Sequence, residues 1–240
     1  MEQLVCSAYA VSNFRVEERT IFAGMSMKNM QIEHYIVGPI QTNCYFIINK
    51  ETKELLVVDP GASGGRLAEF VKEKAYHPVA ILLTHGHFDH ADGIRDFLAA
   101  FPDEEIPVYA YIDEKETLED PRLNLSAEMD WNQHSYHADV FVRDKQQLSL
   151  AGFDIEVLHT PGHTPGGCCF YIPEEKALFS GDSLFAGSIG RTDFPGGSAA
   201  QLVRSVKERC LTLPEDTAVY PGHEGVTTVG EEKRFNPFLR

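Results

Sequence analysis

The chain has 240 residues, a formal net charge of −15 and a hydrophobic fraction of 43%. This length and apolar content predict a globular protein with a sizeable buried core, and the acidic excess argues against nucleic acid as a substrate because it repels phosphate backbones. No apolar run approaches the roughly 20 residues of a membrane span, and the N-terminus lacks a signal-peptide pattern. We therefore expect a cytoplasmic protein that binds neither nucleic acid nor membrane.

The cysteines indicate the same compartment. There are five of them, an odd number, and none forms a C-x-x-C pair. A disulfide framework or a thiolate zinc knot would need paired and regularly spaced cysteines. The sequence therefore predicts reduced thiols.

The first residues differ in pattern from the rest of the chain. Residues 1–29 show no apolar period of two or 3.6, which predicts an N-terminal extension that would be poorly ordered. A single domain is expected over residues 30–240. It opens with a meander of three strand-like runs, broken by glycine, proline and charged turns, at residues 32–37, 44–48 and 55–58.

Two amphipathic helices are predicted in the first half. Apolar residues recur at helical spacing in two sets: Leu67, Phe70, Val71 and Ala75, then Ile94, Phe97, Leu98 and Phe101. Residues 103–137 have a poorer pattern, with one short helix expected near residues 113–119. We expect His134 and His137 of this segment to lie at the surface or on a substrate wall, and not to bind metal.

A cluster of ligand-type residues follows the apolar run 79–83, which is predicted to be a strand. The stretch reads Thr84-His85-Gly86-His87-Phe88-Asp89-His90. Imidazole nitrogen with carboxylate oxygen suits zinc, iron or manganese better than calcium or magnesium. His85 and His87 can share one face of an extended segment, whereas Asp89 and His90 must point in different directions. The spacing therefore predicts two neighbouring metal positions, although Asp89 alone could be a helix N-cap.

The second half repeats this arrangement. Strands are expected at residues 140–142, 148–150, 153–158, 168–172, 176–180 and 218–220, and a helix at Leu202, Val206 and Cys210. Three of these strands run into turns that present His163, Asp182 and His223. With the earlier motif, a strand ends on histidine or aspartate four times. This pattern predicts two sheets with helices outside them and the ligands gathered at one edge.

These residues closely resemble the metallo-β-lactamase superfamily over about residues 31–240. The H-x-H-x-D-H motif, His163, Asp182 within Ser180-Gly181-Asp182-Ser183, and His223 match its ligand pattern. The resemblance implies an α/β fold, a four-layer αββα sandwich, with a binuclear site. It implies that His85, His87 and His163 hold one metal ion, that Asp89, His90 and His223 hold the other, and that Asp182 bridges them.

The branch of the superfamily is indicated by departures from other members. The best-known lactamases carry cysteine where this chain has Asp182, and flavodiiron proteins carry glutamate where it has His87. The runs 181–185 and 190–194 look like glyoxalase II and its shorter relatives, and also like persulfide dioxygenases. The ending 228–238 is similar to short glyoxalase II-like hydrolases, without the helical domain that supplies much of the glutathione contact.

The resemblance implies hydrolysis of a small acyl thioester by metal-bound hydroxide, with two divalent metal ions, zinc first and iron or manganese as alternatives. Asp89 and Asp182 are the expected catalytic carboxylates, Asp89 orienting the nucleophile. Arg191 is expected at the substrate, paired with Asp193, or else in a surface ion pair. Two alternatives stay open: a persulfide dioxygenase with one iron on His85, His163 and Asp182, and a lactone hydrolase on the same fold.

Overall fold

The computed structural model describes residues 17–19, 28–129 and 133–240. Two β-sheets pack face to face, and helices cover the outer face of each sheet. This arrangement confirms the predicted four-layer αββα sandwich.

The first sheet has seven strands, which lie side by side in chain order. The first four run antiparallel to their neighbours, and the last three continue parallel to the fourth. They are β1 (Glu17–Arg19), β2 (Met30–Val37), β3 (Thr42–Asn49), β4 (Glu54–Val58), β5 (His77–Leu82), β6 (Val108–Tyr111) and β7 (Val140–Val142).

The second sheet has six strands, and a separate hairpin lies beside it. The remaining strands along the chain are β8 (Gln147–Leu150), β9 (Phe153–His159), β10 (Cys168–Ile172), β11 (Ala177–Gly181), β12 (Leu184–Phe185), β13 (Ser188–Ile189), β14 (Ala218–Pro221) and β15 (Thr227–Thr228). The spatial order is β15-β14-β11-β10-β9-β8, with β11 and β14 parallel, while β12 pairs with β13.

Seven α-helices connect these strands within the described residues: α1 (Gly64–Glu73), α2 (Phe88–Ala91), α3 (Ile94–Ala99), α4 (Lys115–Glu119), α5 (Ser126–Met129), α6 (Ala199–Ser205) and α7 (Val229–Phe235). A π-helical turn, Val206–Cys210, continues α6, and 3₁₀ turns occupy Ile112–Glu114, Pro173–Glu175 and Pro237–Leu239. Among the described residues, no helix has both the length and the apolar character that a membrane crossing needs.

Three apolar layers hold the sandwich together. The central layer lies between the sheets, where Ile47 and Leu56 of the first sheet pack with Phe170 of the second. The side chains that alternate with these along the strands of the first sheet, such as Phe46, point outward and pack against α1 and α3. The third layer packs the second sheet against α6, its π-helical extension and α7. Because β3 is buried on both faces, it reads as a continuous apolar run and not as an alternating one.

Two differences from the sequence predictions have a local cause. Three residues of the predicted extension, Glu17–Arg19, form an edge strand against β2, whereas most of residues 1–29 lie outside the described residues. The helix predicted after the histidine motif corresponds to α3, and an additional short helix, α2, precedes it. Between α2 and α3, the Gly93 amide donates to Pro60 O over 2.9 Å, and a Cβ on Gly93 would lie 2.5 Å from that oxygen.

The strands bring their C-terminal ends to one edge of the sandwich. In the first sheet β4 and β5 are parallel, and in the second sheet β11 and β14 are parallel. Main-chain hydrogen bonds join the two sheets there, from Cys168 to Thr84 O and from Asn43 to Gly222 O. The turns that follow these strands therefore meet across the sandwich.

Candidate metal centre

The structure brings all seven predicted ligands together at this edge. Their donor atoms form three overlapping groups, and within each group the atoms lie no more than 4.8 Å apart. The groups are His85 with His87 and His163, then His85 with His90 and Asp182, then Asp89 with His90 and His223. Four loops, after β5, β9, β11 and β14, supply these side chains.

The first group consists of histidines only. His87 Nδ1 lies 3.1 Å from His85 Nε2 and 2.9 Å from His163 Nε2. All three side chains are buried. Burial, and then the neighbouring imidazoles, lower the pKa of His87 to about 3 and hold the pKa of His85 well below its usual range. These imidazoles are therefore neutral and offer nitrogen lone pairs, which is the form that binds a metal ion.

The third group, Asp89 with His90 and His223, contains a carboxylate. Asp89 Oδ2 lies 3.3 Å from His223 Nε2 and 3.5 Å from His90 Nε2, and it accepts a hydrogen bond from Thr42 Oγ1 over 2.8 Å. Burial alone would lower the pKa values of His90 and His223, but the carboxylates Asp89 and Asp182 outweigh burial and raise both. This half of the site thus favours positive charge.

Asp182 lies between the three-histidine group and the group of Asp89, His90 and His223. Its Oδ1 is 3.4 Å from His90 Nε2, and its Oδ2 is 3.4 Å from His163 Nε2 and 3.6 Å from His223 Nε2. Burial would raise the pKa of Asp182, but the charges of His90 and His223 lower it well below the usual range. An ionised carboxylate in this place can reach ligands of both groups.

The donor atoms fit divalent cations. His90 Nδ1 lies 2.9 Å from Asp59 Oδ2, and in neutral His90 it donates its proton there, which leaves a lone pair on Nε2. His90 Nε2 and Asp182 Oδ1 are buried and have no hydrogen-bonding partner. Two facing lone-pair donors repel each other unless a cation binds both. The field that raises the pKa of His90 would stabilise such a cation equally well.

Asp59 orients two of the histidines. It accepts hydrogen bonds from the Thr84 amide over 2.8 Å and from Thr84 Oγ1 over 2.7 Å, besides the contact with His90. Thr84 Oγ1 is in turn 3.2 Å from His85 Nδ1 and can accept its proton. The sequence analysis missed Asp59 as a site residue. The available signal was an aspartate directly after a buried strand, followed by Pro60-Gly61.

Main-chain contacts fix the other two loops. His163 Nδ1 donates to Arg191 O over 2.7 Å, so its Nε2 faces the other ligands. The Asn43 amide group donates to Pro221 O and Glu224 O, each over 2.9 Å, and these carbonyls bracket His223. Gly222 allows the close approach of this loop, because a Cβ there would lie 2.2 Å from Asp182 Oδ1.

Five of the seven candidate ligands line a cleft of about 470 Å³: His87, Asp89, His163, Asp182 and His223. Its walls are mainly apolar: Ile40, Phe88, Leu125, Phe185 and Phe194. Arg191 also lines the cleft, and its guanidinium makes a bidentate contact with Asp193 over 2.9 and 2.8 Å and lies 4.2 Å from the centre of the Phe194 ring. Both members of this ion pair are largely exposed. Arg191 contributes to the site through its main-chain carbonyl, which accepts the hydrogen bond from His163 Nδ1.

The two remaining histidines considered in the sequence analysis lie apart from the described ligand groups. His134 Nδ1 lies 2.5 Å from Asp92 Oδ1, and His137 is exposed. His134 lines a different and smaller cavity with Asp92 and Arg95. Trp131 of the same segment lies outside the described residues.

Curated proteins of similar sequence match nearly the whole chain. A probable metallo-hydrolase from Bacillus subtilis (strain 168), YqgX, is 41% identical over 85% of this chain and 94% of its own length. A protein from Haemophilus influenzae named hydroxyacylglutathione hydrolase GloC is 36% identical over 88% of this chain and 98% of its own length.

Solved structures give the same result. The structure of BLEG-1, a B3 metallo-beta-lactamase, is 41% identical with a TM-score of 0.80, over 87% of this chain and 99% of that one. TTHA1623 in a di-iron-bound form is 37% identical with a TM-score of 0.74, over 85% and 98%. ETHE1 from Myxococcus xanthus is 28% identical with a TM-score of 0.70, over 87% and 84%. Residues 37–223 match the Metallo-beta-lactamase superfamily itself, and the chain therefore belongs to that superfamily.

Proposed function

We propose that this protein is a metal-dependent hydrolase that cleaves a small acyl thioester, of the S-lactoylglutathione type, in the cytoplasm. The observation that carries the proposal is the convergence of seven nitrogen and oxygen ligands, five of which line an open cleft. Two relatives support it by name, one as a metallo-hydrolase and one as a hydroxyacylglutathione hydrolase. Two divalent ions are proposed, zinc first, with iron or manganese as alternatives.

In this proposal the ligands form two metal positions, which follow the groups seen in the structure. His85, His87 and His163 would hold one ion, and Asp89, His90 and His223 the other, with Asp182 within reach of both groups. When bound, such ions bring the pKa of a bound water toward about 7 and polarise the carbonyl of the substrate.

Asp89 would act as the catalytic carboxylate. Burial would raise its pKa, but His90 and the hydrogen bond with His223 lower it to about 2, so Asp89 is ionised at neutral pH. Thr42 fixes Oδ2 of Asp89. The carboxylate can then accept a hydrogen bond from the attacking water and orient that water toward the carbonyl carbon.

The cleft walls support a thioester as the substrate. The apolar side chains of Phe88, Phe185 and Phe194 exclude water from the acyl group. A thiolate, with a parent pKa of about 8.5, leaves without a strong general acid, whereas an amine would need one. Arg191 would contact the thiol carrier, but Asp193 already neutralises it. We therefore expect weak saturation by glutathione thioesters and tolerance of other carriers.

Persulfide dioxygenation is the second candidate. His85 and His163 with Asp182 give two imidazoles and one carboxylate, a set that suits a single ferrous ion. The similarity to a di-iron-bound structure supports iron as an alternative metal. The likeness to a B3 metallo-beta-lactamase also makes a β-lactam a substrate to test, and a lactone remains a further alternative.

One experiment separates these candidates. Zinc-reconstituted protein is assayed without oxygen for thiol release from S-lactoylglutathione, and iron-loaded protein is assayed with glutathione persulfide on an oxygen electrode. Hydrolysis should survive zinc and the absence of oxygen, because zinc has no redox chemistry. Oxygen uptake with persulfide, and no thioester cleavage with any metal, would contradict the hydrolase proposal. A chromogenic β-lactam and a simple lactone are run on the same preparation.

Two histidine variants serve as the matched pair for this assay. His87→Ala removes a buried candidate ligand and should abolish turnover, whereas His137→Ala changes an exposed histidine outside the described ligand groups and should leave turnover unchanged. An equal loss of turnover in His87→Ala and His137→Ala would mean that the loss is not specific to the candidate ligands.

A further inference from the structure

Glu114 is a fully buried carboxylate that the proposed chemistry does not use. It ends the 3₁₀ turn Ile112–Glu114 directly after β6, and its exposed fraction is 0%. A glutamate is almost never fully buried unless other groups compensate it. The identity of those groups therefore indicates what the residue does.

The contacts of Glu114 join two loops that carry candidate ligands. Its Oε1 accepts a hydrogen bond over 3.0 Å from the amide of Gly86, the residue between His85 and His87. Its Oε2 accepts one over 2.9 Å from Thr164 Oγ1, and Thr164 directly follows His163. The first loop leaves the first sheet and the second loop leaves the second sheet. The carboxylate of Glu114 thus links a loop from each sheet, and both loops carry residues of the three-histidine group.

Further donors complete the shell of Glu114. The amide of Gly166 and the hydroxyl of Thr117 also donate to the carboxylate. A Cβ on Gly166 would lie 2.5 Å from Oε2 and 2.3 Å from the Glu114 amide nitrogen, so the loop backbone rests directly on the carboxylate. All four donors are uncharged, and burial raises the pKa of Glu114 to about 7 in spite of them.

Another buried carboxylate, Glu33, is compensated differently. Glu33 is also buried in the first sheet, where the Lys74 ammonium donates to it over 2.9 Å and the hydroxyls of Tyr35 and Tyr76 donate over 2.6 and 2.7 Å. None of these partners is a candidate ligand or adjoins one in sequence. Glu114 instead has its donors on residues next to His85, His87 and His163.

We propose that Glu114 is a positioning residue that sets the spacing between the His85–His87 loop and the His163 loop, and thereby the metal affinity of the three-histidine group. The proposal rests on the proposed function only in taking that group as a metal position. It does not depend on the substrate. Partners that orient ligands typically contribute 10- to 100-fold to metal affinity, and about that loss is expected here.

The test is metal binding by the full chain with Glu114→Gln. The glutamine side chain has the same size as glutamate, but its NH₂ group is a donor and would face another donor, Gly86 N or Thr164 Oγ1. One of the two loops therefore loses its hydrogen-bond acceptor. Competition with a chromophoric chelator should show about 10- to 100-fold weaker binding at one of the two metal positions and an unchanged second position. The visible spectrum of the Co²⁺-loaded protein should change in the same variant, because it reports ligand geometry.

Glu33→Gln is the matched control, because it removes the charge of another buried glutamate in the same sheet. It should lower the melting temperature and leave both metal affinities unchanged. Unchanged affinities in Glu114→Gln would overturn the proposal, and so would an equal loss at both positions that Glu33→Gln reproduces. Wild-type protein that binds no metal would overturn the proposed function itself, which is a different result.

A second pair of variants keeps the test valid if Glu114→Gln does not fold. Thr164→Val removes only the hydroxyl donor to Oε2, whereas Thr164→Ser keeps it. Thr164→Val should weaken the same metal position, by less than Glu114→Gln, and Thr164→Ser should restore it. Equal affinities in the two variants would contradict the proposal.

Discussion

Two buried glutamates, Glu33 on β2 and Glu114 in the turn after β6, have different surroundings. At Glu33 burial would raise the pKa, but Tyr35, Tyr76 and the Lys74 ammonium outweigh burial and lower it. At Glu114 four uncharged donors do not outweigh burial, and the pKa rises to about 7. At Glu33 the fold neutralises the buried charge with a cation. At Glu114 it uses uncharged donors on the two loops that carry His85, His87 and His163.

The same contrast extends to the ligands themselves. Among the described residues, four buried side-chain polar atoms lack a hydrogen-bonding partner, and three of them are His87 Nε2, His90 Nε2 and Asp182 Oδ1. Buried polar atoms are normally paired, and exceptions cluster at functional sites. The ligand edge is therefore complete only with bound cations. Each prediction below tests that difference.

The largest effect is expected for Asp182→Asn. Asp182 approaches His90 and His163, one from each group, so its charge serves both metal positions. We expect loss of both metals and a fall in turnover of about 100-fold or more. Elemental analysis and the thioester assay measure this. Asp154→Asn, at an exposed aspartate on β9, should keep both metals; a similar loss there would show that overall charge decides metal content.

A smaller and selective effect is expected for His223→Ala. The unmutated protein should bind close to two metals per chain, and the variant should lose mainly the second, because only Asp89, His90 and Asp182 would then remain around that position. Metal content per chain is measured on purified protein. A single iron in the unmutated protein, unchanged in the variant, would contradict the binuclear assignment and favour the oxygenase.

The dependence of stability on pH should have opposite signs at the two glutamates. The pKa of Glu114 rises from 4.5 to about 7 on folding, so its contribution is greatest below pH 4.5 and declines as pH rises to about 7. The pKa of Glu33 falls below 4.5 on folding, so its contribution is present above pH 4.5 and is lost as pH falls through the folded value.

Denaturant unfolding of chelator-treated protein across this pH range measures both contributions. The difference in unfolding free energy between wild type and Glu114→Gln should shrink from pH 4.5 to 7, while the difference for Glu33→Gln should grow between acid pH and neutrality. Parallel curves would remove the contrast between the two environments.

The gathering of the candidate ligands at one edge was predictable from the sequence, whereas most residues that hold them in place were not. A strand that stops at histidine or aspartate leaves a local signature, and the parallel strands then bring these turns together. Glu114 leaves no such signature, because Asp113-Glu114-Lys115-Glu116 reads as a solvated charged turn. Its partners Gly86 and Thr164 are 28 and 50 residues away along the chain. Asn43 reaches Pro221 across 178 residues.

The strands and helices divide in the same manner. The meander β2–β4 and the hairpin β10–β11 agree with the sequence predictions, since each strand is long enough to show its apolar run. The two-residue strands β12, β13 and β15 are too short to show any period. The separation of α2 from α3 depends on a contact between Gly93 and Pro60, which periodicity does not contain.

The smallest effect is expected from removing residues 1–29. Within this segment the structure describes a strand that pairs three residues with the edge of the first sheet, and main-chain amides of Lys28 and Asn29 that donate to Glu175. A few such bonds contribute about 1 kcal/mol each, so a chain that begins at Met30 should lose less than about 8 °C in melting temperature.

Metal content and turnover should be unchanged, because the metal ligands and the Glu114 contacts lie at residues 85–223. Calorimetry and the thioester assay measure these quantities. A chain that begins at Gly38 is the control, because it also removes β2 and should unfold. If the shorter truncation lost as much as the longer one, the extension would belong to the packed domain.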